Sequence, residues 1–430
     1  MAAIETNESL TKAKQGLTPI TPGAFGQDNS IKISIAIPRN GSLFCTHAKG
    51  RRSSRTFDMN KSIADIHPIV VYGASGYTGS LVAKELLRRG FKVVLSGRSE
   101  AALHQISAEL DGISEVRAVE LNEPASLRAV LRGCSAVINC AGPFSETADP
   151  LVSAAIAVGV HYLDTSAEQP HARRMFEVHD GPARQAGVTL LPAAAFYNAL
   201  GDLMAHAVSA EMGALEEVTS AYGVRGWNMT RGSRVTAVNF MRDRIGFSDG
   251  RQHRLSTIPK FTRFEFPHPL GRKRVIVDYP LGEPITVPRH TDTKKVTCLM
   301  SEEAFADGFY IRLVVALGSS IPLLAPLLRW VMRRRRNPRP EQIAGSDFVI
   351  EIRVRSTRAT RRGTIFGADI YGISAIIIAE AAMRLLGSGG VRSGTLSAAE
   401  AFDSRRFLDA LANHGVRYEI DQPIALVESA

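Results

Sequence analysis

From Pro68 to about Pro192, short apolar runs alternate with longer stretches of helical spacing. The runs are Ile69–Tyr72, Lys92–Ser96, Val116–Glu120, Ala136–Cys140, His161–Asp164 and Val188–Leu191. Helical spacing fills the gaps at Ser80–Arg89, Ala101–Leu110, Ala125–Arg132, Asp149–Val158 and Pro170–Ala186. Strict alternation of this kind predicts a parallel, doubly wound α/β sheet whose ligand lies at the carboxyl ends of the strands. Beyond Asp202 the pattern changes. Strand-like runs at Glu217–Val224, Arg274–Asp278, Lys295–Met300, Asp347–Ser356 and Arg361–Ile370 have few helices between them, which predicts a mixed α+β, largely antiparallel second domain. Ile373–Leu386 and Ala398–His414 are amphipathic and are expected to pack back on the first domain.

The first run leads straight into Gly73-Ala74-Ser75-Gly76-Tyr77-Thr78-Gly79 and then into a helix. Gly73 permits the tight turn, Gly76 lets backbone approach a pyrophosphate, and Gly79 lets the helix close on the sheet. The amides of Ser75, Tyr77 and Thr78 stand at the helix head, where unpaired N–H groups and the dipole favour phosphate. Strand before and helix after make this a dinucleotide fingerprint rather than a chance glycine triplet. The second strand ends in Ser96-Gly97-Arg98-Ser99, with no carboxylate before Glu100. A site for NAD wants an acid there; Arg98 instead offers a forked cation for a 2′-phosphate, with the Ser99 hydroxyl beside it. The expected cofactor is NADPH. The expected organisation is a tail or upstream extension at 1–58, a dinucleotide-binding domain at 59–201, a substrate domain at 202–370 and C-terminal helices at 371–430.

Charge changes the picture in two places only. The chain carries a formal +10, yet residues 1–58 hold eight Lys/Arg against four acids, residues 329–339 hold six arginines and no acid, and the remainder balances. The folded body therefore lacks the basic surface of a nucleic-acid binder. The four cysteines, Cys45, Cys134, Cys140 and Cys298, have no paired spacing and no metal-ligand pattern, as in a chain kept reduced in the cytoplasm. His161, His171 and His179 are scattered singly and read as core or surface residues. Residues 1–58 show no secretory apolar core and are expected to be disordered.

Leu313–Leu328 is sixteen residues without a charge, followed by Arg329-Trp330-Val331-Met332 and four arginines. A spanning helix wants about 20 apolar residues, and Pro322 and Pro326 interrupt this one. Two readings stay open for 313–336: a segment lying at a membrane surface, peripheral to it, or a lid over an acyl pocket followed by a solvated basic loop.

Several stretches together resemble the saccharopine dehydrogenase-like NADP-binding family, and within it the branch of trans-acting enoyl reductases. They are Val71–Gly79, Asn139-Cys140-Ala141-Gly142-Pro143-Phe144, Gly159–Asp164 and Phe196–Asp202, joined by Phe266–Pro269, Ile370-Tyr371-Gly372 and Glu400–Asp403. The resemblance implies a Rossmann domain and a mixed substrate domain with the nicotinamide in the cleft between them. It also implies that Cys140, Ala141, Gly142 and Pro143 form a turn along the cofactor. The chain departs from the family at Phe196-Tyr197-Asn198-Ala199, where relatives carry a glycine-acid-serine-proline pattern, and at Arg231-Gly232-Ser233.

Candidate chemistry follows the late parallel strands: Asp164, Thr165, Ser166 and Glu168, then Tyr197, Asn198 and Asp202. Tyr197 is the first choice for proton donor and Glu168 the second, with Asp164 a third candidate that can equally cap the next segment. The competing role for Tyr197 is packing. The expected function is NADPH-dependent reduction of a C=C bond in a lipid-like or carrier-bound enoyl substrate, a small molecule or acyl group. An imine or amino-acid reductase of the saccharopine type is the alternative, with Arg225, Arg231 and Arg234 available for carboxylates. A membrane-associated dinucleotide-binding protein without turnover is the third.

Overall fold

The computed structural model describes residues 67–112, 114–238, 243–256, 258–304, 322–334, 337–387 and 390–426. The 1–58 segment and residues 313–321 of the uncharged stretch lie outside the described residues.

Alternation within each short strand sets up two cores. In β1 (Ile69–Tyr72), Ile69 and Val71 face one side while Val70 and Tyr72 face the other, and all four are buried. The same division runs through β2 (Val93–Gly97), β4 (Ala136–Asn139) and β5 (His161–Asp164). A strand with both faces covered must be apolar throughout, which is why these runs lack the in–out polarity of a half-exposed sheet. With β3 (Glu115–Ala118) and β6 (Thr189–Leu191) they form a parallel sheet of order β6-β5-β4-β1-β2-β3. A seventh strand, Gly394–Thr395, pairs in parallel beside β6. The doubly wound α/β class read from the pattern is the observed one.

The helices of this half are α1 (Tyr77–Arg88), α2 (Glu100–Glu109), α3 (Pro124–Leu131), α4 (Phe144–Val158), α5 (Gln169–Arg174) and α6 (Asp180–Gln185). Two depart from the expected spans. α4 begins at Phe144 rather than Asp149, because the Glu168 carboxylate accepts the Phe144 and Ser145 amides at 2.7 and 3.1 Å and stabilises an earlier start. The expected single helix over 170–186 is broken by a π-helical turn at Met175–His179. Pro182 has no N–H to donate back across that turn, so the ladder shifts.

The second sheet comprises β7 (Leu215–Arg225), β8 (Ile245–Ser248), β9 (Arg251–Arg254), β10 (Lys260–Phe266), β11 (Gly271–Val277), β12 (Val296–Ser301), β13 (Asp347–Ser356) and β14 (Ala359–Ala368). The Gly394–Thr395 strand is β15, and β16 (Arg417–Ile420) and β17 (Ile424–Ala425) close the series. The main path runs β10-β11-β12-β7-β13-β14-β16. It is antiparallel except for β12 against β7, which makes the sheet mixed. Between the two sheets lies α7 (Phe196–Ser209), buried along most of its length. Around it stand α8 (Arg231–Ala237), α9 (Glu283–Thr286), α10 (Ala325–Arg334), α11 (Pro340–Ala344), α12 (Ile370–Leu386), α13 (Ala398–Ala401) and α14 (Ser404–Leu411).

α12 packs on α1, the helix behind the glycine turn. Val82, Ala83 and Leu86 share a core with Ile373, Ile377 and Ile378. A buried ion pair reinforces the contact: Arg89 reaches Glu380 at 2.6 Å, with side chains 10% and 5% exposed. Glu380 also holds Arg384 at 2.7 Å, and Arg89 holds Glu85 at 2.7 Å. Glu380→Ala removes the contact between the two helices but leaves Arg89 its Glu85 partner, so it is expected to cost about 2 kcal/mol of stability in urea denaturation, the worth of a charge-assisted hydrogen bond. A loss within about 0.5 kcal/mol, the range of an ordinary surface substitution, would show that α12 is held to α1 by apolar packing alone.

Candidate active site

A cavity of about 650 Å³ opens at the carboxyl ends of the parallel strands, where the switch-point rule places a ligand. One wall is the glycine turn. Gly73 has φ +82°, and a Cβ there would meet Ala141 at 2.9 Å. A Cβ on Gly79 would stand 2.2 Å from the Gly73 carbonyl oxygen, so the helix can approach the turn only with glycine at that position. Gly76 caps α1 with no side-chain hydrogen bond, and the first turn holds no acid. The leading amides of α1 are thus left for an external acceptor. Gly73, Ser75, Gly76, Tyr77 and Thr78 all line the cavity, whereas Gly79 does its work by packing.

Arg98 lines the cavity at its far edge beside Leu121 and makes no ion pair among the described residues. Ser99 does not line it; its hydroxyl accepts the Ala102 amide at 3.4 Å and caps α2. Glu100 is paired outward with His104 at 3.8 Å. Glu100 therefore does not occupy the place of the ribose-binding acid beside Arg98. Such residues fit a phosphorylated dinucleotide, whose reduced nicotinamide supplies hydride when bound.

Cys140, Ala141, Gly142 and Pro143 form the next part of the wall. Asn139 fixes this turn by accepting the Ala141 amide at 3.0 Å through Oδ1. Burial pushes the Cys140 thiol up to about 12, so it stays a neutral thiol. α8 presses onto the turn from the other sheet: a Cβ on Gly142 would meet Thr236 Oγ1 at 3.0 Å.

The late-strand candidates divide. Tyr197 lines the cavity. It sits in an extended conformation (φ −72°, ψ 132°) ahead of Asn198 at φ +78°, so regular helix begins only after them. Its hydroxyl is buried without a hydrogen-bond partner, and burial raises its pKa well above 10. A neutral phenol with nothing to donate to is a donor held in reserve. Asp164 does not reach the cavity. Its Oδ1 accepts the Ser166 and Ala193 amides at 2.9 and 2.8 Å, and Oδ2 pairs with buried His171 at 2.7 Å. Glu168 is spent capping α4, Asn198 accepts the Thr286 hydroxyl at 3.1 Å, and Asp202 holds His290 at 2.8 Å and the Ala399 amide. These carboxylates hold segments together; they do not face the cleft.

The sequence reading passed over the opposite wall. Trp227, Met229 and Tyr279 close its apolar end around Tyr197, with the Trp227 ring 5.5 Å from that of Tyr197. Thr230, Ser233 and Tyr371 supply hydroxyls beside them. Tyr371 accepts the Thr230 amide at 3.1 Å and lies 2.8 Å from Ser233 Oγ, which is 3.0 Å from Thr230 Oγ1. The Tyr371 ring also meets Tyr77 edge-on at 5.6 Å, joining this wall to the glycine turn. The signal in the sequence was that Tyr371 falls in a stretch carrying the family resemblance and Ser233 in one that departs from it.

The described part of the basic segment overlies the cleft. Leu328 and Met332 of α10 pack on Val235 and Val238, Arg333 lines the cavity and Arg329 pairs with Glu146 at the head of α4. The opposite face carries Leu323, Leu327 and Trp330, 90%, 56% and 51% exposed. Among the described residues no helix is long and apolar enough to cross a membrane.

The fold and cleft define a Rossmann-type dinucleotide-binding protein with a mixed second sheet over the cofactor face. Residues 69–191 match the family model described as the saccharopine dehydrogenase NADP binding domain. The chain is 28% identical over 145 residues to a putative trans-acting enoyl reductase of Mycobacterium tuberculosis, covering 33% of this chain and 35% of that protein. It is 28% identical over 140 residues to a trans-acting enoyl reductase of Mycobacterium leprae (31% and 34% covered) and 28% identical over 151 residues to a lipid droplet localized protein of Caenorhabditis elegans (32% and 35%). The chain thus spans only about a third of the length of these curated relatives. The fold as a whole is similar to apo saccharopine dehydrogenase (L-Glu forming) from Saccharomyces cerevisiae, with TM-score 0.55, 12% identity, and 83% of this chain and all of that one covered. It is also similar to homospermidine synthase from Legionella pneumophila in complex with NAD, with TM-score 0.55, 10% identity, and 82% and 91% covered.

Behind Tyr197 lies a buried acid. Tyr222, whose ring is 5.9 Å from that of Tyr197, donates to Glu283 Oε1 at 2.6 Å. Burial raises the Glu283 carboxyl from 4.5 to about 7, against the lowering effect of that hydrogen bond. The folded state then holds this proton more tightly than the unfolded chain between those two values. Stability falls as pH rises from 4.5 to about 7 and levels off above. Glu283→Gln is expected to remove about 3 kcal/mol of that fall, measured as the pH dependence of urea unfolding in the two proteins. Equal slopes would place the Glu283 proton change outside the folding equilibrium.

Proposed function

We propose that the chain is an NADPH-dependent oxidoreductase that reduces the C=C bond of an apolar, thioester-like enoyl substrate. The observation that carries the reading is that the phosphate-binding turn and an uncharged aromatic end, Tyr197, Trp227, Met229 and Tyr279, share one cavity. The names of the mycobacterial relatives support the reaction class. In this reading the Ser75, Tyr77 and Thr78 amides bind the pyrophosphate, Gly76 tightens the turn by donating its own amide to the Gly73 carbonyl at 3.0 Å, and Arg98 takes the 2′-phosphate. The Cys140–Pro143 turn lies along the nicotinamide. The apolar end excludes water and receives the acyl part of the substrate. Tyr197 donates a hydrogen bond to the carbonyl oxygen as charge develops there.

The amino-acid alternative needs cations in the inner cleft. Arg225 is paired with Asp347 at the surface, and Arg234 does not line the cavity, which leaves Arg231, exposed at the mouth. The enoyl reading is favoured on that ground. The test is NADPH oxidation against enoyl thioesters, imines and ketones. Turnover is expected with the enoyl thioester and a loss of about 100-fold in kcat for Tyr197→Phe; turnover with the imine alone would reverse the assignment. Arg98→Ala is expected to weaken NADPH binding by about tenfold or more, the worth of a charge-assisted pair, and NADH binding hardly at all. Equal effects on both would remove Arg98 from the 2′-phosphate.

A peripheral lipid contact is favoured separately by the outward Leu323, Leu327 and Trp330, with the Arg334 guanidinium 4.1 Å from the Trp330 ring. The Caenorhabditis elegans relative's name agrees with it. Leu327→Glu with Trp330→Glu is expected to abolish pelleting with anionic liposomes. Unchanged pelleting would take α10 out of any such contact.

A further inference from the structure

Counting hydrogens in the Thr230–Ser233–Tyr371 cluster gives a result that distance alone does not. The three side chains bring three hydroxyl protons. Two hydroxyl–hydroxyl contacts, 3.0 Å from Thr230 to Ser233 and 2.8 Å from Ser233 to Tyr371, use two of them. One proton is left over. The Thr230 and Tyr371 oxygens already receive backbone donors: the Ser233 amide reaches Thr230 Oγ1 at 3.2 Å, and the Thr230 amide reaches the Tyr371 oxygen at 3.1 Å. Either atom of each contact can donate; in the arrangement with Thr230 donating to Ser233 and Ser233 to Tyr371, the spare proton sits on the Tyr371 phenol, which lines the cavity. In this arrangement the Tyr371 oxygen accepts two hydrogen bonds, and both hold equally well on a phenolate.

We propose that Tyr371 is the acid of the cleft, giving its proton to the carbonyl oxygen of the enoyl substrate, with Ser233 and Thr230 as the relay that restores it. This rests on the reductase reading above. Reduction of the C=C bond by reduced nicotinamide adds hydride at the β-carbon and leaves one negative charge on the carbonyl oxygen. The Tyr371 O–H bond then breaks and an O–H bond forms on the substrate. The phenolate takes the Ser233 proton, Ser233 takes that of Thr230, and water reprotonates Thr230. The enol loses its O–H proton to solvent and gains one at the α-carbon, so the sum is one hydride and one proton across the double bond. Tyr197, whose hydroxyl has no hydrogen-bond partner among the described residues to pass it a proton, contributes a hydrogen bond to the same oxygen and no proton.

The test uses the intact chain with NADP⁺ and a dienoyl thioester of N-acetylcysteamine, a chromophore that shifts to the red when its carbonyl accepts a strong hydrogen bond. Wild type is expected to shift the probe. Tyr371→Phe, which keeps the ring contact with Tyr77, is expected to lose most of that shift. With NADPH and an enoyl thioester, Tyr371→Phe is expected to lower kcat by about 100-fold or more while the NADPH dissociation constant stays within about twofold. Ser233→Ala is expected to keep the shift and lower kcat by about tenfold. A Tyr371→Phe protein that keeps both the shift and kcat overturns the proposal. So does one whose NADPH affinity falls while kcat at saturation is unchanged, because the cluster would then serve the cofactor. A wild-type protein that shifts the probe but oxidises no NADPH sinks the reductase reading and leaves the oxygen site standing; no shift in wild type sinks the oxygen site itself.

Discussion

In the cofactor half a helix packs against its own preceding turn without room for a side chain. Gly79 lies so near the Gly73 carbonyl that any side chain would overlap it, and that contact brings the uncapped head of α1 against the end of β1. A side chain at Gly79 would lift α1 off the turn. α12, which packs on α1, would lose its seat, and with it the Tyr371 ring that meets Tyr77. The phosphate-binding wall and the hydroxyl wall are thus positioned by one backbone contact, made possible by an absent Cβ.

Within this frame the acids are consumed by architecture. Asp164 ties β5 to the loop after β6 and to His171; Glu168 caps α4; Asp202 ties α7 to His290 and to α13. Their burial is tolerable because backbone amides, ring nitrogens or both satisfy their oxygens. The acid that still lines the cavity, Glu146, is paired with Arg329; the inner lining is phenols, aliphatic hydroxyls and aromatic rings, with guanidinium groups at the edges. Such a lining suits a substrate that acquires charge only during reaction.

The parallel half was readable because its determinants are contiguous. β1 and β5 occur at the expected residues, and the glycine turn, Arg98 and the Cys140–Pro143 turn each occupy a few consecutive positions. The opposite wall was not readable, because Trp227, Tyr279 and Tyr371 arrive from three separated segments and only the tertiary path brings them together. In the second sheet, β9 and β10 escaped notice because Arg251–Arg254 is wholly exposed and Lys260–Phe266 buries only two of its residues, so neither shows the apolar face that marks a strand. β15 is two residues long and is recognisable only by its pairing. Asp164 and Glu168 were read as reactive from their place after β5. Capping and ion pairing call for the same residue types at the same strand ends, and only the partners tell the two roles apart.

β15 also bears on the order of assembly. The strand beside β6 comes from residues 394–395, more than two hundred positions downstream, and is anchored by the Thr395 hydroxyl on the Met175 carbonyl and the Thr395 amide on Asp180. Chains emerge from the ribosome amino end first, and domains generally close as they emerge. Here the nucleotide half emerges with one sheet edge unpaired, and it stays so until β7 to β14 of the second sheet have been translated. For that interval β6 presents an open ladder of the kind that recruits foreign strands.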